Sequence, residues 1–244
     1  MQSHPHVGGD PGEVQQIKIM RYSANLNVIL KAIDKASMHM PRDLTELEHL
    51  QSNPASAEKF AAACYRKVKQ MLTDDLSKVR PDFNIIFADG QKLVNNENPE
   101  YSYVIYPIDG FSNLMRSNPD FTVAVALEHH NKDGEKEAIS VAISKIFGGE
   151  LYYCEKGFGA YLNNRRIRVS KRNSGEILTT SELEHSSRNY GCRTLALAYL
   201  SAARLERAVF SKEDYELLKP FLLLIREAGG RIVEDEKSVS IFNV

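Results

Sequence analysis

The stretch that most constrains the fold of this chain is residues 103–114, which read Y-V-I-Y-P-I-D-G-F-S-N-L. Its first four residues are aromatic or β-branched, which is typical of a buried strand. Pro107 cannot donate a backbone hydrogen bond, so the strand is predicted to end or bend there. Asp109 and Gly110 are predicted to turn the chain, because glycine supplies backbone freedom. Such a strand places a carboxylate and free N–H groups at the carboxyl edge of a sheet, where ligands often bind.

Helical periodicity predicts two helices before that strand. Residues 24–40 carry apolar side chains at helical spacing, and Pro41 is expected to end the helix, with a loop or a frayed continuation over residues 42–52. Asn53 and Pro54 form a capping residue followed by proline, which is typical of a helix start. The helix that follows has apolar residues at three- and four-residue steps as far as Val79, so one of its faces is predicted to pack on a sheet.

The rest of the chain mixes strands and helices without strict alternation. Strands are predicted at residues 84–87, 121–127, 138–146, 151–154, 167–170, 207–210 and 231–234. Helices are predicted at residues 194–205 and 214–228, and glycines at 229 and 230 are expected to end the second one. A turn at residues 131–134 should join two of the strands as a hairpin. This order favours an α/β (α+β) fold of layered elements over a simple doubly wound sheet.

Composition narrows the class of protein further. The 244 residues are 43% hydrophobic and 26% charged, with a formal net charge of −1. The near balance of charge indicates no nucleic-acid or acidic-membrane partner. Three widely spaced cysteines support neither a zinc site nor a disulfide framework, so a cytoplasmic location is expected. No apolar run approaches the ~20 residues of a membrane helix, and residues 1–20 are predicted to form a mobile tail.

Residues 103–114 resemble the signature of the inositol monophosphatase family, which includes the SuhB-type extragenic suppressors of bacteria. The signature reads Asp-Pro-(Ile/Leu)-Asp-Gly-Thr-x-Asn, and five positions match it. The matching residues are Pro107, Ile108, Asp109, Gly110 and Asn113. Residues 151–170 and 226–230 are similar to two further family motifs. The resemblance implies a sandwich of alternating helix and sheet layers. Residues 21–244 would form a single unit, in which an α+β half (21–170) packs tightly on an α/β half (171–244).

The family's chemistry requires magnesium, which is held by several carboxylates and activates water for phosphomonoester hydrolysis. The resemblance keeps Asp109 as a metal ligand and Ile108 as the source of a carbonyl ligand. It places Ala88, Tyr106 and Leu217 at three other carboxylate positions. The metal site implied for this chain is therefore vestigial, with weak or absent binding at Asp109 and Ile108.

The substitutions at the metal and substrate positions are mostly apolar. They are Ala88, Tyr106, Phe111, Ala196, Phe210 and Leu217. If these side chains are buried together, they predict a pocket converted into core or into a shallow apolar cleft. Four of them, Tyr106, Phe111, Phe210 and Leu217, are expected to lie near one another. The resulting interpretation is a SuhB-like member of the family that has lost magnesium-dependent hydrolysis, needs no cofactor and serves a binding or assembly role.

Other interpretations remain open. An active inositol-1-monophosphatase or related phosphomonoesterase would use magnesium with Asp109, Asp89 and Ser112 in a rearranged site. Side chains alternate along a strand, so the Asp89 side chain is expected to point to the opposite side from that of Ala88. A metal-free binder of phosphorylated ligands would instead use the backbone N–H groups of Gly110, Phe111 and Ser112. Asp109 and Gly110 would otherwise be only a turn, with the carboxylate bonded to nearby backbone N–H groups.

The remaining polar clusters are predicted to have structural roles. Arg165, Arg166, Arg168, Lys171 and Arg172 are interpreted as a solvated strand edge. Acid–base chemistry is not expected at Glu182, Glu184 and His185, and Cys154 and Cys192 are predicted to be buried fillers. Because members of the family are commonly dimers, the resemblance implies a homodimer.

Overall fold

The computed structural model describes residues 22–175, 177–183, 188–213 and 215–243. The tail predicted over residues 1–20 lies outside these ranges. So do Glu184 and His185 of the acidic cluster and Asp214, the predicted start of a helix.

Three helices open the described chain: α1 (Ala24–Ser37), α2 (Met40–Leu50) and α3 (Pro54–Val79). The Asn53 side chain accepts a hydrogen bond from the N–H of Ser56, which confirms the predicted start of α3. Pro41 lies in the first turn of α2, where proline needs no hydrogen-bond partner for its nitrogen. The prediction of a loop over residues 42–52 was therefore wrong for most of that segment.

The larger sheet has eight strands. They are β1 (Asn84–Phe87), β2 (Lys92–Leu93), β3 (Tyr101–Asp109), β4 (Thr122–His130), β5 (Lys136–Lys145), β6 (Glu150–Glu155), β7 (Gly159–Leu162) and β8 (Arg165–Ile167). Their spatial order is β2-β1-β3-β4-β5-β6-β7-β8, and only β1 and β3 run parallel. The strand predicted at 167–170 instead ends at Ile167. Asn163 and Asn164 have φ of +46° and +66°, so the chain reverses there as a tight hairpin.

The C-terminal elements form a second, four-stranded sheet with helices beside it. The strands are β9 (Thr179–Ser181), β10 (Arg207–Ser211), β11 (Arg231–Glu234) and β12 (Ser238–Phe242), in the order β11-β12-β10-β9. The helices beside it are α5 (Arg193–Ser201), α6 (Tyr215–Leu218) and α7 (Leu223–Ala228), whereas the short helix α4 (Phe111–Met115) follows β3 and packs on the first sheet's other side. The helix predicted at 214–228 is divided by a 3-10 segment containing Pro220, which has no N–H to donate. Gly229, with a φ of +88°, ends α7 as predicted.

Two hydrophobic clusters fix the layers. Helices α1 to α3 pack on one face of the eight-stranded sheet, where the side chains of Tyr103 and Ile105 contribute to the first cluster. The other face, with Val104 and Tyr106, shares the second cluster with α5, α7 and the four-stranded sheet. The fold is therefore the predicted sandwich of helix and sheet layers. In the described part of the chain, no helix is both long enough and apolar enough to cross a membrane.

Candidate active site

A β-bulge in β3 sets the direction of the Asp109 side chain. Tyr106 pairs with Ala124 and Asp109 pairs with Thr122, so three steps on β3 match two on β4. One extra residue reverses the alternation of side chains. Ile108 accordingly packs in the first cluster, whereas Asp109 lines a pocket with Tyr106 on the opposite face. The predicted bend at Pro107 is confirmed, and it brings the carboxylate beside the phenol.

At the end of β1, two neighbouring side chains, those of Ala88 and Asp89, point to opposite faces of the sheet. Ala88 packs on the second cluster and lines the pocket. Asp89 turns to the opposite side, where it accepts hydrogen bonds from Lys69 (2.7 Å) and from the hydroxyl of Tyr65 (3.4 Å), both on α3. Burial alone would raise the pKa of Asp89, but the hydrogen bond from Lys69 contributes to lowering it below its usual value. The expected alternation at residues 88 and 89 is confirmed.

The pocket at this sheet edge has a volume of about 280 Å³. Its lining combines Ala88, which follows β1, and two residues of β3 with residues that lie between the end of β9 and the start of α5. The lining residues are Ala88, Tyr106, Asp109, Glu182, Asn189, Gly191 and Arg193. Most of these side chains are polar. The prediction that the pocket had become core or a shallow apolar cleft was therefore wrong, because charged groups from the C-terminal half enter it.

The Asp109 carboxylate holds the start of α5. Its Oδ2 accepts hydrogen bonds from the backbone N–H and from the hydroxyl of Thr194, both at 2.7 Å. Cys192, the residue before α5, gives that helix no side-chain cap of its own. A carboxylate at a helix N-terminus accepts from unpaired N–H groups and interacts favourably with the helix dipole. Asp109 thus bonds to a backbone N–H as one interpretation proposed, but the N–H lies 85 residues away.

The turn after Asp109 also contacts the segment just before α5. Gly110 has a φ of +85°, and a Cβ there would lie 3.1 Å from both the Asp120 carbonyl oxygen and the Cys192 Cβ. The side-chain amide of Asn113 donates to the carbonyl oxygens of Asp120 and Tyr190, each at 2.6 Å. Gly110 and Asn113 are therefore needed for the backbone conformation of this region, independently of any ligand in the pocket.

A bidentate ion pair forms the polar wall of the pocket. Arg193 donates from Nε and Nη2 to the two carboxylate oxygens of Glu182, at 2.6 and 2.9 Å. It also donates from Nη1 to the carbonyl oxygen of Glu213. Burial lowers the pKa of Arg193, but its hydrogen bonds to Glu182 outweigh that effect and raise it. The fork geometry matches a carboxylate well, so Arg193 and Glu182 neutralise each other inside the pocket.

Burial also affects the thiol beside this wall. Cys192 lies within 3.4 Å of the Asp109 carboxylate. Desolvation, and after it the charge of Asp109, raises the pKa of Cys192 well above its usual value. The thiol therefore stays protonated and can donate a weak hydrogen bond to Asp109. Cys154 and Cys192 are both buried, as predicted.

The apolar substitutions do not form one group. Tyr106 packs edge-on against Phe221, with ring centroids 5.3 Å apart, and shares the second cluster with Phe210 and Leu217. Phe111 instead contacts Tyr65 and packs against the first cluster. The expectation that all four residues lie together was therefore wrong for Phe111. It follows Gly110, whose left-handed backbone directs α4 toward the helices on the other side of the sheet.

Ser112 and the basic residues lie apart from this pocket. Ser112 is exposed on α4, and neither it nor Asp89 is among the residues that line the pocket. Arg165 and Arg166 are exposed on β8, at one edge of the larger sheet, as predicted. Arg172 departs from that prediction, because it donates to the buried carboxylate of Glu206 at 2.8 Å.

Comparison with known proteins identifies the relatives of this chain. A sequence model described as "Inositol monophosphatase family" matches residues 17–216. The chain belongs to the inositol monophosphatase family. It is 30% identical over 237 residues to an "Inositol-1-monophosphatase" of Rhizobium meliloti, covering 86% of this chain and 85% of the relative. It is 27% identical over 237 residues to the "Nus factor SuhB" of Vibrio cholerae, covering 86% and 84%.

A solved structure of a family member has the same fold. The extragenic suppressor protein SuhB from Bartonella henselae aligns with a TM-score of 0.75 and 26% sequence identity. The alignment covers 91% of this chain and 94% of that one. The predicted membership of a SuhB-type group within the inositol monophosphatase family is thus confirmed, and both enzymes and Nus factors are among the relatives by name.

The residues around this pocket do not fit the magnesium ligands that the family implies. One oxygen of Asp109 is engaged by Thr194, and Ala88 and Tyr106 offer no carboxylate. Within the described ranges, no three His, Cys, Asp or Glu side chains are grouped closely enough to hold a metal ion. Magnesium prefers about six oxygen ligands in octahedral geometry. No catalytic step through the metal is therefore derived for this chain.

Sequence patterns assigned neither Asn189 nor Arg193 to a site, and Glu182 was considered only to be rejected, whereas all three residues line the pocket. Arg193 follows a Gly-Cys pair that resembles the family's Gly-Ser helix start, and this was the available signal. The pairing of Glu182 with Arg193 had no local signal, because the two residues lie on separate elements.

Proposed function

We propose that this family member does not hydrolyse phosphomonoesters with magnesium, and that it has a binding or assembly role. Where family members carry out catalysis, this chain has a small polar pocket. The charged side chains that line it are paired with other groups of the same protein. The sequence favours the same role, and the pairing of the carboxylates supports it.

The observation that carries the proposal is that, among the described residues, both carboxylates that line the pocket and that of Asp89 on the opposite side of the sheet have protein partners. Asp109 bonds to the start of α5, Glu182 to Arg193, and Asp89 to Lys69. Clustered ligand carboxylates of a metal site repel one another without their cation. Here a cationic side chain or a helix N-terminus takes the place that a metal charge would fill, so the folded protein has no electrostatic need for a divalent cation.

The names of several relatives favour the competing function, an active inositol-1-monophosphatase. That function would recruit Asp109, Asp89 and Ser112 to magnesium. For Asp89 to become a ligand, it would have to leave Lys69 and cross to the pocket side of β1. Such a change requires more than a rotamer shift, because strand side chains alternate between faces.

The proposal is tested by calorimetry and by activity measurement on the full chain. We expect no micromolar magnesium or manganese site, and background turnover of inositol-1-phosphate and of p-nitrophenyl phosphate. Positioning and electrostatic stabilisation supply most of the rate enhancement in phosphoryl transfer, and Ala88 and Tyr106 do not supply the carboxylates that would hold the ions that provide both.

Asp109→Asn is the diagnostic variant, and Asp74→Asn is its matched control. Asp74 is exposed on α3 and makes the same change of charge far from the pocket. Magnesium-dependent turnover above ~1 per second that disappears in Asp109→Asn and persists in Asp74→Asn would establish the enzyme instead.

A further inference from the structure

The side chains that line the pocket at the end of β3 carry a net negative charge. The charged residues of this lining are Asp109, Glu182 and Arg193. Two carboxylates and one guanidinium give it a formal net charge of −1 at neutral pH. A phosphate ester binds best where the surrounding charge is positive, so this lining repels it. The same charge attracts a ligand that carries one positive charge.

The donors that would bind an anion in this pocket already have acceptors in the protein. Every nitrogen of the Arg193 guanidinium group donates a hydrogen bond, two of them to Glu182 and one to the carbonyl oxygen of Glu213. The N–H of Gly191 donates to Oδ1 of Asn189 at 2.8 Å. A phosphate or carboxylate ligand would have to displace one of these acceptors, and the displaced Glu182 would then repel it.

The carboxylate of Asp109 keeps one oxygen for a ligand. Its Oδ2 accepts two hydrogen bonds from Thr194, both at 2.7 Å, whereas its Oδ1 accepts none from any residue in the described ranges. Both carboxylate oxygens of Glu182, by contrast, accept hydrogen bonds from Arg193. Oδ1 of Asp109 therefore combines negative charge with unused lone pairs. An ionised donor makes the strongest hydrogen bond to such an oxygen.

A second polar group of the lining matches a hydroxyl group. The Oδ1 atom of Asn189 accepts from Gly191, whereas its Nδ2 has no hydrogen-bond partner among the residues that the structure describes. An amide N–H group donates well to a hydroxyl oxygen. The pocket volume of about 280 Å³ is roughly nine times the ~30 Å³ share of one water molecule in the liquid. A ligand with about six to nine non-hydrogen atoms therefore fits.

We propose that this pocket binds a small protonated amine that also carries hydroxyl groups, an amino alcohol, and that it discriminates against phosphorylated ligands. The ammonium group donates to Oδ1 of Asp109, and Asn189 donates to a hydroxyl oxygen. This inference rests on the proposed absence of magnesium chemistry, because a divalent cation would compete for the same carboxylate. It extends that proposal by naming the chemical class of the ligand.

Calorimetry with three probes of one size tests the ligand class. Serinol, glycerol and β-glycerophosphate share a three-carbon frame and carry an ammonium, a hydroxyl or a phosphate group on its central carbon. At about pH 7 the amine is protonated. In the presence of a chelator, we expect serinol to bind with a Kd of about 1 mM or lower, at least about tenfold more tightly than the other two probes. Equal affinity for serinol and glycerol, or tighter binding of β-glycerophosphate, would overturn the inference.

Glu182→Gln tests whether the charge of the lining decides this preference. It removes one negative charge and leaves the hydrogen bonds from Thr194 to Asp109 in place. We expect the Kd of serinol to rise at least about threefold in Glu182→Gln and at least about tenfold in Asp109→Asn. Asp74→Asn removes an exposed charge on α3 and should leave the Kd unchanged. If Asp109→Asn does not fold, as judged by circular dichroism, Glu182→Gln decides, and an unchanged Kd in that variant overturns the inference.

Added magnesium distinguishes a failure of this inference from a failure of the proposed function. If β-glycerophosphate binds and is hydrolysed only after magnesium is added, the protein is a metal-dependent phosphatase, and the proposed function fails together with this inference. If serinol does not bind in chelator, and magnesium produces neither binding nor hydrolysis of β-glycerophosphate, only this inference is overturned. Serinol binding that magnesium does not weaken supports both.

Discussion

Two regions of this fold differ in how far they keep the features of the family motifs: the pocket, and the loop between β6 and β7 that contains Gly157 and Gly159, called the glycine loop. In the loop, the carboxylate of Glu227 on α7 accepts hydrogen bonds from the N–H groups of Gly157 (2.8 Å) and Gly159 (2.7 Å). Both partners belong to segments that match family motifs. In the pocket, the resemblance leaves Asp109 as the only one of four metal carboxylates. The loop thus keeps contacts that hold the backbone, on which folding depends, whereas the resemblance implies that the pocket has lost most of the groups that would hold a ligand.

The largest expected effect comes from returning a carboxylate to the pocket. Tyr106 is 7% exposed and packs on Phe221. Tyr106→Asp loses this packing and buries an unpaired charge, so we expect it to lower the free energy of unfolding by about 4 kcal/mol. Urea denaturation of the variant measures this loss.

Tyr106→Phe is the control for that comparison. It keeps the aromatic packing and should cost about 1 kcal/mol, on the scale of one lost hydroxyl hydrogen bond. If Tyr106→Asp were as stable as wild type in the presence of a chelator, the pocket would tolerate charge, and the contrast with the glycine loop would fail.

An intermediate effect is expected in the loop. Glu227→Gln leaves one acceptor oxygen for two N–H donors, so Gly157 or Gly159 loses a charge-assisted bond. We expect a loss of about 2 kcal/mol in the free energy of unfolding. Glu213→Gln makes the same change at an exposed position and should stay within about 0.5 kcal/mol of wild type. Equal stability of both variants in urea would show that the loop does not need this carboxylate.

The smallest effect concerns the pH dependence of Asp89. Hydrogen bonds from Lys69 and from the N–H of Gln91 hold the pKa of Asp89 below that of an ordinary aspartate in spite of its partial burial, so the folded state favours the ionised carboxylate. The resulting stabilisation is fully present above about pH 4 and is lost as the pH falls through the lowered pKa. The difference in unfolding free energy between wild type and Asp89→Asn should therefore shrink on acidification. A difference that is constant from about pH 6 to about pH 2 would contradict the pairing with Lys69.

Local sequence patterns predicted most of the helices and strands that have clear capping residues, turn residues or apolar periodicity. The caps at Asn53 and Gly229 and the hairpin turn at residues 131–134 all lie where the sequence indicated. The short strands β2, β7, β9 and β12 were missed. Two or three residues give too little periodicity, and the alternation in β12 becomes informative only beside β10 and β11.

The sequence by itself determined the family and the turn at Asp109, because both rest on contiguous motifs with local backbone requirements. Only the tertiary structure decided what occupies the pocket. The bonds from Asp109 to Thr194 and from Glu182 to Arg193 join residues on separate elements, and the bulge at Pro107 decides which side of the sheet Asp109 faces. A one-residue change in register reverses the direction of every later side chain, and that register is fixed by pairing with β4 rather than by the strand alone.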